Sequence, residues 1–520
     1  MIFTPLVFLV LGTIFLQLTS ASNCSPAFIG KPVLHGAKII DVQAEEVHNH
    51  SAISLGPGTN DGGRYTISFC HVTVTHTHPG WNDTINTQVW LPLSGWNGRF
   101  QALGGGGYST GFGSLYLTYA ASKGFASASV DGGIAVGTEA IPTDLSWALS
   151  SKGNVNWFLL EDYASKATND MAVIGKQVTE SYYQTAPSYS YFSGCSGGGR
   201  QGLIMAQNYP DAFDGIVASS PAIHLETFIP AGFWPEQLMN QYGVFPSPCE
   251  VEAFTAAAVK RCDRMDGVED GIISSPRLCT VQAHDFVGQN YTCNGTQETL
   301  STADARVIQA AWSGTGKHGW FGLNKDASLS SSSIPTTCRA NGTCYSTGSE
   351  LFGSWISYLV AKDPDFVLED MNNSDFFDGL RYSTSQYAPM LAGANPDLSG
   401  FKANSGKMIA WHGLADEVIP PRGSEQYYEE VLEKDNEAHE FFRFFEAPGV
   451  GHCYGGLGPV PNDALTQLME WVEKDVSPDT LVATKGSNDT ARDLCPYPLE
   501  QKFIGGDPRN ATSFTCANKP

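Results

Sequence analysis

Basic residues are scarce in this chain: 30 Lys and Arg stand against 53 Asp and Glu among 520 residues, a formal net charge of −23. Such a surface repels phosphate backbones and anionic lipid headgroups, which argues against nucleic acid or a membrane as partner. In mildly acidic surroundings part of that charge is lost as carboxylates protonate, so it also suits solubility there. Long hydrophobic runs are nearly absent. The one exception, MIFTPLVFLVLGTIFLQLTSASNCS, has an apolar stretch, Leu6 to Leu18, that is short for a membrane span and closes in small residues. Residues 1–21 read as a secretory leader cleaved near Ala21, although no Lys or Arg precedes the apolar stretch. Internal repeats are also missing. The glycine run Gly104 to Gly107 lacks the spacing of a dinucleotide fingerprint and has no following P-loop lysine.

What is present describes a packed protein. Hydrophobic residues make up 42% and charged residues 16% of the chain, which excludes disorder, and the length calls for a large domain with a substantial insertion. Twelve cysteines, an even number, are compatible with six disulfides in an oxidising compartment. Nine N-x-S/T sequons begin at Asn23, Asn49, Asn82, Asn290, Asn294, Asn341, Asn372, Asn488 and Asn510. Together these features imply a secreted, glycosylated eukaryotic protein.

Up to about residue 225, strand-like runs (Tyr65 to Val74, Thr87 to Leu93, Arg99 to Gly107, Gly124 to Gly133) alternate with helical periodicity. Between Trp157 and Tyr183, apolar residues recur at three- and four-residue steps, which predicts one amphipathic helix. A strand, SYSYFSG, then leads through SGCSGGGRQG into a helix, and DGIVASSPA reads as the next buried strand. Strand, helix, strand in this order indicates a parallel sheet with crossover helices. Residues 226–400 break the pattern with six cysteines, three sequons before residue 345 and a serine run, and read as an inserted, disulfide-stapled lid domain. Alternation resumes with GKMIAWHGLAD, a helix from about Arg422 to Glu433, EFFRFFEAP, and a helix from about Asp463 to Lys474. The segments 22–225 and 401–520 are therefore expected to form one α/β domain interrupted by the lid.

The chemistry follows from three loops. Gly194-Cys195-Ser196-Gly197-Gly198 fits the G-x-S-x-G of an α/β-hydrolase fold, where a serine on a tight strand-to-helix turn exposes its hydroxyl and the next backbone N–H faces the developing oxyanion, which makes the α/β domain the expected catalytic domain. In this fold the acid and then the histidine follow on later strand ends. Asp416 in HGLADEVIPP and His452 in GVGHCYGG occupy such positions. Ser196 is thus the expected nucleophile, His452 the base and Asp416 its orienting acid. The N–H of Gly197 and one from the Gly104 to Gly107 run, Gly106, are the expected oxyanion donors. Cys195 precedes Ser196 and Cys453 follows His452, so a meeting of the serine and histidine side chains would bring the two cysteines within bridging reach.

The linked motifs GCSGGGRQG, HGLADEVIPP and GVGHC resemble those of the tannase and feruloyl esterase family, across nearly the whole mature chain. The resemblance implies that Ser196, Asp416 and His452 form the triad and that a Cys195–Cys453 disulfide is required for activity. It also implies a secreted serine esterase that acts through an acyl-enzyme on feruloyl, chlorogenic or galloyl esters. One departure is Gly197, where many members carry Thr; it should enlarge the space beside the turn. A carboxylesterase tailoring a small secondary metabolite is the alternative within the fold. The rival of another class, a noncatalytic binding protein, calls for a broken triad, and this one is intact.

In the lid, CDRMDGVEDGII offers hard oxygen ligands from Asp263, Asp266 and Asp270, with the carbonyls of Val268 and Ile272 between them. By composition alone this is an acidic surface turn. The segment resembles the lid calcium loop of the family, which implies a structural calcium. Resemblance and proximity also favour disulfides Cys24–Cys70, Cys262–Cys279 and Cys495–Cys516; Cys249, Cys293, Cys338 and Cys344 leave three pairings open. His76 and His78 in CHVTVTHTHPG would share one strand face, but with no neighbouring acidic or cysteine ligand to complete a metal site, they and His71 are expected to be exposed strand histidines. Phe228, Phe233, Trp234, Trp312, Trp320, Phe321 and Trp355 are expected chiefly as lid core.

Overall fold

The structure, a computed structural model, describes residues 23–134, 143–316, 319–486 and 490–519. The expected leader and the sequon at Asn488 lie outside the described residues. Nine strands form the central sheet: β1 (Lys38–Leu55), β2 (Gly62–Thr77), β3 (Ile85–Pro92), β4 (Arg99–Leu103), β5 (Ala126–Val130), β6 (Tyr189–Cys195), β7 (Gly215–Ser219), β8 (Lys407–Gly413) and β9 (Phe442–Ala447). Their spatial order is β1-β2-β3-β5-β4-β6-β7-β8-β9. β1, β2, β3 and β5 pair antiparallel in succession, and every pair from β5 through β9 is parallel.

Parallel strands must be covered on both faces, and the alternation of side chains accomplishes it. Met408, Ala410, Phe442 and Phe444 point into one apolar cluster with residues of the helices α2 (Ala167–Tyr183) and α3 (Gly197–Asn208). Ile409, Trp411, Phe445 and Ala447 enter another with Leu468 and Trp471. The antiparallel edge is different: β1 carries Asp41, Glu45 and Glu46, and its charge discourages further strand pairing.

The lid leaves the sheet after β7 and returns at β8. Its helices include α4 (Leu225–Gly232), α5 (Pro248–Cys262), α6 (Thr302–Ser313) and α7 (Asn373–Leu391). Val251, Phe254, Val307, Ile308 and Trp312 form a core private to the lid. Phe228, Ile229, Trp355 and Tyr387 share a second core with Tyr108 and Tyr163 of the sheet domain. Phe228, Phe233, Trp312, Trp320 and Trp355 are all buried, as expected of core residues. Between β8 and β9 lies α8 (Pro421–Lys434), and beyond β9 comes α9 (Ala464–Lys474), whose Ala464, Leu468 and Trp471 make one buried stripe.

Six disulfides are formed. The pairings Cys24–Cys70, Cys195–Cys453, Cys262–Cys279 and Cys495–Cys516 match expectation, and the open four resolve as Cys249–Cys293 and Cys338–Cys344. Two expectations are corrected. The helix over Trp157 to Tyr183 is interrupted by a π-helical turn at Asp162–Lys166, which draws Asp162 into the interior. His76 and His78 are buried, not exposed, because α2 packs over that face of β2, and His71, on the opposite face, is partly covered beside Phe69 and Trp90.

Candidate active site

Ser196 stands between β6 and α3 with φ 62° and ψ −122°, a left-handed conformation that a non-glycine residue holds only when its surroundings enforce it. The enforcement is visible: its N–H donates to Ser219 O at 3.1 Å, and its carbonyl accepts from Arg200 N and Ala222 N, both at 3.0 Å. Gly197, the first residue of α3, has an N–H without an intrahelical acceptor. A Cβ there would stand 3.2 Å from Gly107 O and 3.4 Å from Gly106 Cα, so the glycine lets the Gly104 to Gly107 segment lie against the turn. That segment is held by α3 itself: Gly198 N donates to Gly105 O (3.1 Å) and Gly105 N to Gln201 Oε1 (2.9 Å).

Asp416 follows β8 and His452 follows β9, on loops joined by Leu414 N to Ala447 O and Ala415 N to Val450 O, both 2.9 Å. His452 Nδ1 lies 2.8 Å from Asp416 Oδ2. Asp416 is fully buried, and its Oδ1 accepts from Val418 N and Ile419 N, both at 2.8 Å. Burial opposes charge on Asp416, but the facing His452 imidazole and the hydrogen bonds from His412 and His452 hold its carboxyl below the ordinary value. Burial likewise opposes charge on His452, and Asp416, assisted by Glu417, outweighs it and raises the imidazole. Glu417 accepts from His452 N at 3.0 Å; burial and the Asp416 charge push its own carboxyl up. The Cys195–Cys453 bridge, with Cα atoms 5.8 Å apart, ties the serine turn to the histidine loop.

Ser196, Gly106, Gly197, Cys195, His452 and Cys453 all line one cavity of about 750 Å³. Leu55, Phe112, Leu115 and Tyr116 form its wall on the sheet side, and Leu225, Phe228 and Ile229 on the lid side. Asp416 stands behind His452, outside the lining.

Three positioning groups escaped the reading of the sequence. His412 Nε2 faces both Asp416 Oδ2 (3.1 Å) and Ile419 O (3.2 Å), so it carries the proton, while Nδ1 meets Ser424 Oγ at 2.8 Å. Glu417 and Gln201 are the other two. All three lie inside the quoted motifs, HGLADEVIPP and GCSGGGRQG, and that adjacency was the available signal.

The lid loop is a turn whose carboxylates fold back on it. Asp263 Oδ1 accepts from Asp270 N and Gly271 N, Asp266 Oδ1 from Val268 N, and Asp270 Oδ1 from Ile272 N. Asp270 Oδ2 also meets Arg492 at 2.8 Å. Three carboxylates are oxygen ligands of the kind a hard divalent cation takes, but each is turned back onto backbone N–H groups, and the three do not bring their ligand atoms within 4.8 Å of one another. The loop adjoins the site: Gly271 lines the cavity, and a Cβ on Gly449 of the histidine loop would touch Ile272.

Residues 70–517 match the family described as tannase and feruloyl esterase. A protein of Arthroderma benhamiae named "Probable feruloyl esterase" is 40% identical, over 96% of this chain and 95% of that one. Tannin acyl hydrolase from Aspergillus niger superposes with a TM-score of 0.84 at 26% identity, covering 95% of each chain, and feruloyl esterase B from Aspergillus oryzae with 0.76 at 25% identity, covering 93% of this chain and 97% of that. The fold, the strand-end loops and these relatives agree: the chain belongs to the tannase and feruloyl esterase family and is a carboxylic ester hydrolase.

Proposed function

We propose that the enzyme cleaves hydroxycinnamoyl esters through a Ser196 acyl-enzyme. The observation that carries this reading is the 2.8 Å Asp416–His452 hydrogen bond behind a cavity that Ser196 also lines. With Nδ1 committed to Asp416, His452 Nε2 takes the Ser196 proton as Oγ attacks the ester carbonyl, then delivers it to the departing alkoxide. Water repeats the cycle to release the acid. The N–H groups of Gly197 and Gly106 would hold the oxyanion.

The wall supports the acyl choice. It is dominated by leucine, isoleucine and aromatic side chains. A feruloyl ring brings one hydroxyl and one methoxy group, whereas a galloyl ring brings three hydroxyls, each costly to bury without a partner. Asp263, Asp266 and Asp270, with the carbonyls of Val268 and Ile272, would hold a calcium ion that fixes the lid loop beside the histidine loop. All eight sequon asparagines among the described residues are exposed, which supports glycosylation and passage through the secretory pathway.

Purified enzyme is to be assayed on methyl ferulate, methyl caffeate, methyl gallate and short aliphatic esters, beside a Ser196→Ala variant. The expected outcome is the highest kcat/KM on ferulate or caffeate and no acyl-enzyme mass adduct in the variant. Preference for aliphatic esters would favour the metabolite-tailoring alternative. Full turnover by Ser196→Ala would remove the nucleophile assignment.

A further inference from the structure

Beneath the β2–β3 corner, on the face of the sheet covered by α2, lies a buried cluster that ester hydrolysis does not use. His76 and His78 project from alternate positions at the end of β2, so they share one face. Asp170 reaches them from α2: its Oδ2 is 2.9 Å from His78 Nε2 and 3.7 Å from His76 Nε2. All three side chains are buried, with their ligand atoms within 4.8 Å of one another. His76 is fully enclosed, yet neither ring nitrogen has a hydrogen-bond partner. A buried imidazole left that way forfeits its hydration without return.

We propose that His76 Nε2, His78 Nε2 and Asp170 Oδ2 form a structural site for a zinc-class divalent ion. In a tetrahedral site with bonds of about 2.0–2.1 Å, neighbouring ligand atoms stand about 3.3 Å apart, and the observed 2.9 and 3.7 Å straddle that edge. The surrounding contacts are those of a ligating histidine. His78 Nδ1 faces Asp83 Oδ2 at 2.6 Å, and Asp83 Oδ1 is itself fixed by Thr77 Oγ1 and His78 N. That carboxylate accepts a hydrogen bond from Nδ1–H and leaves Nε2 with its lone pair toward the ion. Lys166 Nζ holds the other oxygen of Asp170 at 2.7 Å.

Three carboxylates converge here, Asp83, Asp170 and Asp162, the last placed by the π-helical turn with its Oδ1 3.7 Å from His78 Nδ1 and no hydrogen bond to either oxygen. Lys166 is the cation that faces them. The rival account is an imidazolium at His78 bridging Asp83 and Asp170 with no metal at all. It leaves His76 unexplained.

The test uses the full-length enzyme, stripped with chelator, dialysed against Zn²⁺ or Co²⁺ and counted by elemental analysis. About one tightly held zinc per chain is expected, with a cobalt spectrum and zinc absorption fine structure showing two imidazole nitrogens at about 2.0–2.1 Å. His76→Phe should abolish retention, Asp83→Asn should weaken affinity about 10- to 100-fold, and Asp162→Asn should leave it intact. Absence of retained zinc and of a cobalt band in the wild type overturns the proposal, whatever the variants do, and leaves the His78 ion-pair network. Retention by His76→Phe with loss in Asp162→Asn overturns the ligand set by moving the ion to the other side of His78.

Discussion

Strands β6 to β9 are almost continuously buried segments, β6, β7 and β8 each locked in register between two neighbours and β9 against one, whereas the lid hairpins 290–299 and 336–346 have two short strands each and are exposed or half-buried. Three of the six disulfides staple lid to lid, at Cys249–Cys293, Cys262–Cys279 and Cys338–Cys344. Of the other three, only Cys195–Cys453 reaches the reacting groups. The difference teaches where each task is placed. Groups that need sub-ångström placement sit at the ends of register-locked strands, and the lid, held by local staples, supplies one wall of the cavity through Leu225, Phe228 and Ile229.

The strongest way to break this division is to disturb chemistry at a strand end without touching the lid. Asp416→Asn should lower kcat by about 10³- to 10⁴-fold, because the amide stabilises the wrong imidazole tautomer, while substrate affinity measured by inhibition with ferulic acid stays nearly constant. The pH profile gives a second reading. As the proposed base, His452 works only when neutral, and Asp416 raises its pKa above the ordinary 6.5. The acidic limb of kcat/KM should therefore have its midpoint above pH 6.5 in the wild type and shift downward in Asp416→Asn. A wild-type midpoint below 6.5 would contradict the assigned pairing.

Next comes the covalent tie between the two loops. Replacing Cys195 and Cys453 together by serine opens a crosslink spanning 258 residues of chain and should cost about 2–5 kcal/mol. Activity should fall further than stability requires, since the histidine loop loses its anchor on the serine turn. Denaturant unfolding and kcat at a temperature where the variant is still folded separate the two effects.

How much of this was legible in the sequence follows from the same contrast. The serine turn, Asp416 and His452 were readable because each is a local motif on a buried strand, and local pattern decides strand ends. Gln201, His412 and Glu417 lie in those motifs too, but which hydrogen bond each makes is settled only when separate loops meet. Strand β1 was missed because its alternating Glu and His residues look like a polar connection until β2 pairs with it. The judgement on His76 and His78 failed for a related reason. Period two placed them on one face, yet that face is interior only because α2 covers it, and Asp170 arrives there across 92 residues of chain. Asp83, five residues from His78, was the signal within reach.

A smaller effect is expected at the lid loop. Exhaustive chelation of calcium should lower Tm by about 2–4 °C for each kcal/mol of stabilisation withdrawn. Because Ile272 packs against the histidine loop at Gly449, kcat should decline in parallel, and readdition of Ca²⁺ should restore both. Asp266→Asn should mimic chelation. A fall in Tm with unchanged kcat would confine the loop to lid stability.

The smallest effect belongs to the staple farthest in character from Cys195–Cys453. Cys338 and Cys344 close a loop of only six residues in an exposed hairpin, so the unfolded chain regains little freedom when the bond is removed. The hairpin is also held by Cys338–Cys344 strand pairing and by Thr347 N to Pro335 O at 2.7 Å, which survive the substitution. Serine at both positions should cost at most about 2 kcal/mol and leave kcat and KM on methyl ferulate unchanged. Calorimetry and steady-state kinetics check it. An altered KM would mean that this hairpin shapes the substrate wall after all, and the line between a chemistry-bearing sheet and a merely stapled lid edge would have to be redrawn around it.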